Sequence, residues 1–305
     1  MTTLRARPAT AATHVLAEGP VWDADRGLVH WVDIDLGEVL TGVLEDGRVR
    51  VTDRLQVDRT VGAVVPSRDG RLLVAGRTSL YVVGTDRAIR PVVPVLPDTD
   101  DRRLNDGACD PDGHFLVGSL SLGGPSTDEV LCRWEDDGSV TTLDTDLQLS
   151  NGLAWSPDGR LLYSVDTLPG RIWVRDYSTD VVGPRREHLR IDGFPDGICT
   201  DSEGNLWVAV WGTGQVRCYA EDGGLLHTVE VPAPHTSAVA FAGPELDTLL
   251  ITTASAELDP AQRARYPLSG ALFTARVGTL GVHGAPTTPW NGQAPADHHP
   301  SHPEV

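Results

Sequence analysis

The chain has 305 residues and a mass of 32.7 kDa, with 43 acidic residues against 25 basic residues and a formal net charge of −18. This charge argues against nucleic acid and anionic membranes as partners and favours cations, although an excess of carboxylates also serves solubility alone. No apolar run approaches the roughly 18 residues of a membrane span and the N-terminus lacks the apolar centre of a signal peptide, so we expect a cytoplasmic protein that does not enter membranes.

Short strand-like runs follow one another along the chain, each directly after a tight turn. The runs are Leu28 to Val32, Arg71 to Val74, His114 to Val117, Leu161 to Val165 and Leu206 to Val210. The preceding dipeptides are Arg26-Gly27, Asp69-Gly70, Asp112-Gly113, Asp158-Gly159 and Glu203-Gly204, which are typical of hairpin turns. No long stretch has helical periodicity, so the sequence predicts an all-β protein.

The turn glycines recur at nearly constant spacing, with steps of 43, 43, 46 and 45 residues. A sixth copy, SAVAFAGPELDTLLITTA, lacks the turn glycine but keeps two strands around Pro244 to Asp247. A period of about 40 to 50 residues with four short strands per copy is typical of a β-propeller. We therefore predict a six-bladed β-propeller as a single domain over residues 1–289, followed by a disordered tail over residues 290–305.

The first strands of propeller blades line a central channel, so the residues that open the repeats should converge there. These residues are Glu18, Val61, Asp106, Asn151, Asp196 and Thr236. Four of the six carry a carboxylate or amide oxygen. Such oxygens repel each other when they are buried without partners, and a divalent cation removes that cost. The alternative is that these side chains cap their own strands in Asx-type turns, as Asp and Asn often do before glycine.

A metal site built on this ring would have only oxygen ligands. Glu18, Asn151 and Asp196 are the candidate ligands, and Asp106 is a candidate for an additional member of the ring. Oxygen ligands favour Ca²⁺, Mg²⁺ or Mn²⁺, and the absence of His and Cys from the ring argues against a zinc site of the usual kind.

Two polar side chains just before the third repeat are candidates for binding a substrate. Arg103 and Asn105 flank Leu104, and strand alternation turns both to one face. In the channel mouth they would hold a polyhydroxylated or anionic ligand. The alternative is a surface Arg103 beside the acidic residues 100 and 101. Five tryptophans in strand-like runs, Trp22, Trp155, Trp173, Trp207 and Trp211, are expected to pack within blades.

A series of motifs spans nearly the whole chain. It runs from AEGPVWD at residues 17–23 through RRLNDGACDPDG, SNGLAWSPDG, PDGICTDSEGNLWVA and FAGPELDTLLITTA to GALF at residues 270–273. This ordered set resembles the SMP-30/gluconolactonase/regucalcin-like family of sugar lactone hydrolases. The resemblance implies one divalent metal at Glu18, Asn151 and Asp196, an acid/base role for Asp196, and a substrate-facing pair at Arg103 and Asn105. Calcium is the expected ion, with zinc, manganese and magnesium as alternatives.

Two positions depart from the pattern of the family. Ser150 stands where many members have proline before the asparagine of the fourth blade. Gly123 and Gly124 lie near the place where some members have a carboxylate, in a loop that we expect to act as a lid. These glycines indicate a different contact with the sugar, so the sequence leaves the identity of the lactone open.

The expected reaction is hydrolysis of a five- or six-membered sugar lactone to the aldonic acid. The metal would polarise the carbonyl while Asp196 assists the attacking water. Neither a GxSxG nucleophile elbow nor an HExxH zinc motif occurs in the sequence. Two alternatives stay open: a related metal-dependent esterase or phosphotriesterase, and a non-catalytic propeller that binds calcium or a sugar acid.

Overall fold

The computed structural model describes residues 1–99 and 101–293, and its strands form six separate sheets. These sheets are the blades of a six-bladed β-propeller, which confirms the predicted all-β fold class. The chain begins with β1 (Thr2–Arg5) and β2 (Arg7–Pro8), which pair with strands of later blades.

Four blades are formed by strands that follow each other in the chain. Blade 1 contains β3 (Ala17–Asp23), β4 (Leu28–Asp33), β5 (Glu38–Glu45) and β6 (Arg48–Gln56). Blade 2 contains β7 (Ala63–Pro66), β8 (Leu72–Ala75), β9 (Ser79–Val83) and β10 (Ile89–Pro94). Blade 3 contains β11 (Arg102–Cys109), β12 (Phe115–Ser121), β13 (Glu129–Trp134) and β14 (Val140–Leu147). Blade 4 contains β15 (Ser150–Trp155), β16 (Leu161–Asp166), β17 (Arg171–Asp176) and β18 (Arg186–Arg190).

The N-terminal strands complete the last two blades. Blade 5 contains β19 (Phe194–Thr200), β20 (Leu206–Trp211), β21 (Gln215–Tyr219) and β22 (Leu225–Glu230), and β1 adds to β22 in parallel. Blade 6 contains β23 (Thr236–Ala242), β24 (Thr248–Thr253) and β25 (Phe273–Arg276), and β2 adds to β25 antiparallel. The ring is therefore closed by backbone hydrogen bonds between sequence-distant strands. Within the described ranges, α1 (Pro260–Arg265) and a 3₁₀ turn (Gly278–Leu280) are the helices, and neither is long enough to cross a membrane.

The predicted turns after the first strands are present. The five turn glycines have positive φ values between +65° and +91°, which glycine adopts without strain. In blade 3 the Oδ1 atom of Asp110 accepts the backbone N–H groups of Asp112 and His114 at 3.0 and 2.9 Å. The sixth copy lacks this glycine, and its turn instead has positive φ at Gly243 and Leu246.

The folded body extends past the predicted boundary at residue 289. Trp290 is 1% exposed, and its ring stacks on Trp134 with the centroids 6.0 Å apart. Its backbone N–H donates to the carbonyl of Pro66 at 2.9 Å, and the Arg71 guanidinium lies 4.9 Å from its ring. The predicted disordered tail therefore begins too early, because Trp290 fills an apolar site on blades 2 and 3. Residues 294–305 of that tail lie outside the described residues.

The ladder between the first and second strands is irregular at the residue that opens the repeat in five of the six blades. The register shifts lie between Glu18 and Val21, Leu104 and Gly107, Ser150 and Leu153, Pro195 and Ile198, and Thr236 and Val239. Bulges of this kind re-aim a side chain and are common beside active sites. Blade 2 pairs in unbroken register from Ala63 to Pro66, and its ring residue is the apolar Val61.

A glycine beside the ring residue lets the inner strands of neighbouring blades come close together. A Cβ atom on Gly152 would lie 2.5 Å from the carbonyl oxygen of Asp196. A Cβ atom on Gly62 would lie 2.3 Å from the carbonyl oxygen of Asn105. No side chain fits at these distances, so glycine determines how closely successive blades pack around the channel.

Gly152→Ala is expected to destabilise the propeller, because the added Cβ must push the backbone of blade 5 away at Asp196. Overpacking of this kind should lower the free energy of unfolding by about 2 kcal/mol, measured by chemical denaturation. Gly123→Ala is the matched control, since its Cβ would meet nothing closer than Ser121 Oγ at 3.8 Å. Equal stability of the two variants would contradict the close approach.

Candidate active site

Five predicted site residues line one cavity, at the end of the propeller where the first strands begin. This cavity has a volume of about 310 Å³, and we call it the mouth cavity. Its lining residues are Leu16, Glu18, Ile34, Arg103, Asn105, Leu120, Leu149, Asn151, Thr167, Leu168, Phe194, Asp196, Trp211 and Glu257. We call Glu18, Arg103, Asn105, Asn151 and Asp196 the polar floor, and each of them is only 5 to 7% exposed.

Asp106, the candidate for an additional ring member, does not line the mouth cavity. It lines a second cavity of about 330 Å³ deeper in the channel, whose lining also includes residues 285–288. The Asp106 carboxylate nevertheless acts on the polar floor electrostatically, because its charge raises the pKa of both Glu18 and Asp196.

Strand capping, the alternative function of the ring residues, accounts for part of the ring. Glu18 Oε2 accepts the N–H of Gly19 at 3.0 Å, and Asp106 Oδ1 accepts the N–H of Gly107 at 2.7 Å. These bonds satisfy one oxygen of each carboxylate. They do not explain why four polar side chains converge on one channel.

The buried carboxylates destabilise each other's charged form. Burial is the main cause that raises the pKa of Glu18, Asp106 and Asp196 above the usual range. The Arg103 guanidinium opposes this effect for Glu18 and Asp196, while burial lowers its own pKa to about 10. The channel therefore favours the uptake of positive charge.

Two buried oxygen atoms of the polar floor have no hydrogen-bond partner among the residues that the structure describes: Asn151 Oδ1 and Asp196 Oδ1. Thr167 holds the Asn151 amide in place, because Asn151 Nδ2 donates to Thr167 Oγ1 at 3.1 Å and Thr167 Oγ1 donates to the carbonyl of Pro195 at 2.8 Å. Buried acceptors without partners are costly and call for an explanation. With a carboxylate oxygen of Glu18, these atoms form a donor set that fits a hard divalent cation such as calcium.

The amide is essential to this fit. Within residues 1–99 and 101–293, no group of three or more His, Cys, Asp or Glu side chains is arranged to hold a metal ion. The donor set therefore consists of two carboxylates and the Asn151 amide oxygen, which the hydrogen bond from Asn151 Nδ2 to Thr167 Oγ1 helps to orient.

Arg103 and Asn105 share one face of the strand and are joined to each other. Arg103 Nη1 donates to Asn105 Oδ1 at 2.6 Å and to the carbonyl of Leu104 at 3.0 Å. Asn105 Nδ2 donates to the carbonyl of Ser150 at 2.9 Å. The alternative of a surface Arg103 is wrong, because this side chain is buried. Its hydrogen bonds to the described residues use Nη1, so Nε and Nη2 are left to donate to a ligand.

Thr167 was not among the residues predicted from the sequence, and Trp211 was predicted to pack within a blade. Trp211 lines the mouth cavity, and its ring stacks on His235 with the centroids 4.2 Å apart. Trp211 is the last residue of β20, and Thr167 directly follows β16, so both lie where the second strand of a blade ends. Because adjacent strands are antiparallel, that end lies beside the start of the first strand. This position was the signal that could have identified them.

The loop predicted to act as a lid adds no carboxylate to the mouth cavity. Neither Gly123 nor Gly124 is among the lining residues, and a Cβ on Gly124 would meet no atom within 4 Å. Leu120, at the end of the preceding strand, does line the cavity. The action of the loop as a lid stays a prediction.

Residues 16–255 match the family model of the SMP-30/gluconolactonase/LRE-like region. The chain belongs to this family. Regucalcin of Xenopus laevis is 30% identical over 308 residues, covering 96% of this chain and 100% of the relative. A pentonolactonase of Haloferax volcanii is 32% identical over 281 residues, covering 87% of this chain and 92% of the relative. The crystal structure of regucalcin from Agrobacterium tumefaciens, a calcium-binding protein, matches with a TM-score of 0.85 and 27% identity, covering 95% of this chain and 99% of the other.

Asp196→Asn is expected to stabilise the cation-free protein at alkaline pH, where the raised pKa values still allow the buried carboxylates to ionise, because it removes one of three buried like charges and keeps the shape of the side chain. In excess chelator the unfolding temperature should rise by about 2 to 4 °C, measured by scanning calorimetry. Asp192→Asn is the control, since it removes the same charge from an exposed position. A lower unfolding temperature for Asp196→Asn than for wild type would contradict this electrostatic picture.

Proposed function

We propose that this protein hydrolyses lactones in the mouth cavity, with a divalent cation held by Glu18, Asn151 and Asp196. The observation that carries the proposal is the pair of buried oxygens without partners among the described residues, Asn151 Oδ1 and Asp196 Oδ1, on two residues that line the same cavity. Membership of a family that contains a pentonolactonase supports the reaction type. The calcium-binding relative from Agrobacterium tumefaciens supports the choice of calcium.

The polar floor binds and orients the lactone. A cation bound there supplies a positive charge that polarises the substrate carbonyl. Arg103 donates its Nε and Nη2 N–H groups to oxygen atoms of the substrate. Asn105 is a positioning residue, because it joins the Arg103 guanidinium to the backbone of Ser150 and so limits its rotation.

Asp196 moves the proton. The carboxylate oxygen of Asp196 that would not hold the cation accepts a proton from water while the water oxygen forms a bond to the carbonyl carbon of the lactone. The ring C–O bond then breaks, and the ring oxygen takes the proton back from Asp196. The product is a hydroxy acid, which for a sugar lactone is the aldonic acid.

Asp196→Ala is expected to lower the rate of lactone hydrolysis by at least about 100-fold, because it removes both a ligand and the proton acceptor. The measurement is a pH-stat assay on a panel of aldonolactones, run before chelation, after chelation, and after separate addition of calcium, magnesium, manganese and zinc. Chelation should abolish the activity and one of the four ions should restore it. Asp192→Ala, at an exposed position, should retain the wild-type rate. Full turnover by a folded Asp196→Ala protein would show that the proton acceptor is misassigned.

A non-catalytic, cation-binding propeller is the second candidate. The partnerless oxygens favour it as well, since a bound cation alone would satisfy them. In that case calorimetric titration would show tight calcium binding, and no lactone would open faster than it does spontaneously. Aryl esters and phosphotriesters in the same panel test the esterase alternative.

A further inference from the structure

Half of the residues that line the mouth cavity are apolar. These seven residues, which we call the apolar wall, are Leu16, Ile34, Leu120, Leu149, Leu168, Phe194 and Trp211. The polar floor is almost completely buried, whereas Leu168 and Phe194 are 40% and 47% exposed. The cavity therefore has a polar interior and an apolar entrance.

The polar floor has few groups left for a ring of hydroxyls. Asn105 uses both its amide oxygen and its amide nitrogen in hydrogen bonds within the protein. The Asn151 amide nitrogen is bound to Thr167, and the Thr167 hydroxyl donates onward to the backbone. The groups that remain are Nε and Nη2 of Arg103, one amide N–H each on Asn105 and Asn151, and the proposed ligands, which are enough for the ester group and few hydroxyls. Hydroxyl groups further from the carbonyl would face the apolar wall.

Exposed apolar side chains also collect at this end of the propeller. In the described part of the chain, eight large apolar side chains are exposed. Four of them, Leu36, Leu122, Leu168 and Phe194, follow a second strand or begin a first strand, which places them around the mouth. Exposed apolar groups gathered at the entrance of a cavity usually contact a ligand.

We propose that the mouth cavity takes lactones whose ring carries an apolar substituent, such as a methyl, alkyl or aryl group, in preference to fully hydroxylated aldonolactones. This inference rests on the proposed lactonase function and specifies its substrate class. The polar floor engages the ester group, and the apolar wall removes the substituent from water.

One carboxylate at the entrance provides the strongest competing explanation. Glu257 lines the mouth cavity, is exposed, and has a positive φ of +62°, which is uncommon for a residue other than glycine. If the substrate were fully hydroxylated, Glu257 would be the acceptor for its outer hydroxyls. The Glu257→Gln variant separates the two explanations.

The test compares kcat/KM for three six-membered lactones: gluconolactone, its 6-deoxy analogue and δ-decalactone. Wild-type protein should open both of the less polar lactones faster than gluconolactone, δ-decalactone by about tenfold or more. Phe194→Ser and Leu168→Ser should each lower kcat/KM for δ-decalactone about tenfold and change that for gluconolactone less than about twofold. Val181→Ser is the control, since Val181 is exposed but does not line the cavity.

Different results would contradict the substrate preference and the lactonase function. Preference for gluconolactone, together with a larger loss in Glu257→Gln than in Phe194→Ser, would overturn the inference and leave the lactonase function intact. Failure of wild-type protein to open any of the three lactones would overturn the lactonase function itself. Because Phe194 and Leu168 are partly exposed, thermal unfolding should show that both variants stay folded, and Phe194→Leu should retain the preference for δ-decalactone.

Discussion

The close approach of the inner strands is the constraint on which the site depends. At Gly62 and Gly152 the next blade is nearer than any Cβ allows, so the chain at these two positions is pressed against its neighbour. Bulges at the starts of the first strands of blades 1, 4 and 5 re-aim the ring side chains. Residues more than 40 positions apart in the sequence, such as Asn151 and Asp196, therefore line one cavity of about 310 Å³.

This packing concentrates negative charge that the protein does not neutralise by itself. The fold instead orients the polar side chains by hydrogen bonds within the protein. Asn151 Nδ2 donates to Thr167 Oγ1, and Arg103 Nη1 donates to Asn105 Oδ1. The free oxygens consequently have little freedom to turn towards other partners. Such preorganisation means that a bound cation would not have to overcome the entropy of ordering its ligands.

The propeller separates buried polar groups from more exposed apolar groups along its strands. The starts of first strands supply the buried polar floor, whereas the ends of second strands and the residues after them supply more accessible groups, the half-buried Trp211 and the exposed Leu168. The buried groups are constrained by neighbouring blades. The exposed groups contribute little to the core, so their identity can change without loss of the fold.

The features that repeat could be predicted without coordinates. The spacing of the turn glycines predicted six blades, and the positions that open the repeats identified Glu18, Asn151 and Asp196 of the polar floor, because a rotational repeat converts equal spacing into convergence. The tertiary structure alone decided that Asp106 faces a deeper cavity, that Trp211 faces the mouth and that Trp290 is buried. These outcomes depend on bulges that shift strand register and on contacts between distant segments. Bulges and contacts between distant segments produce no periodic pattern in the sequence, so local patterning could not predict these three outcomes.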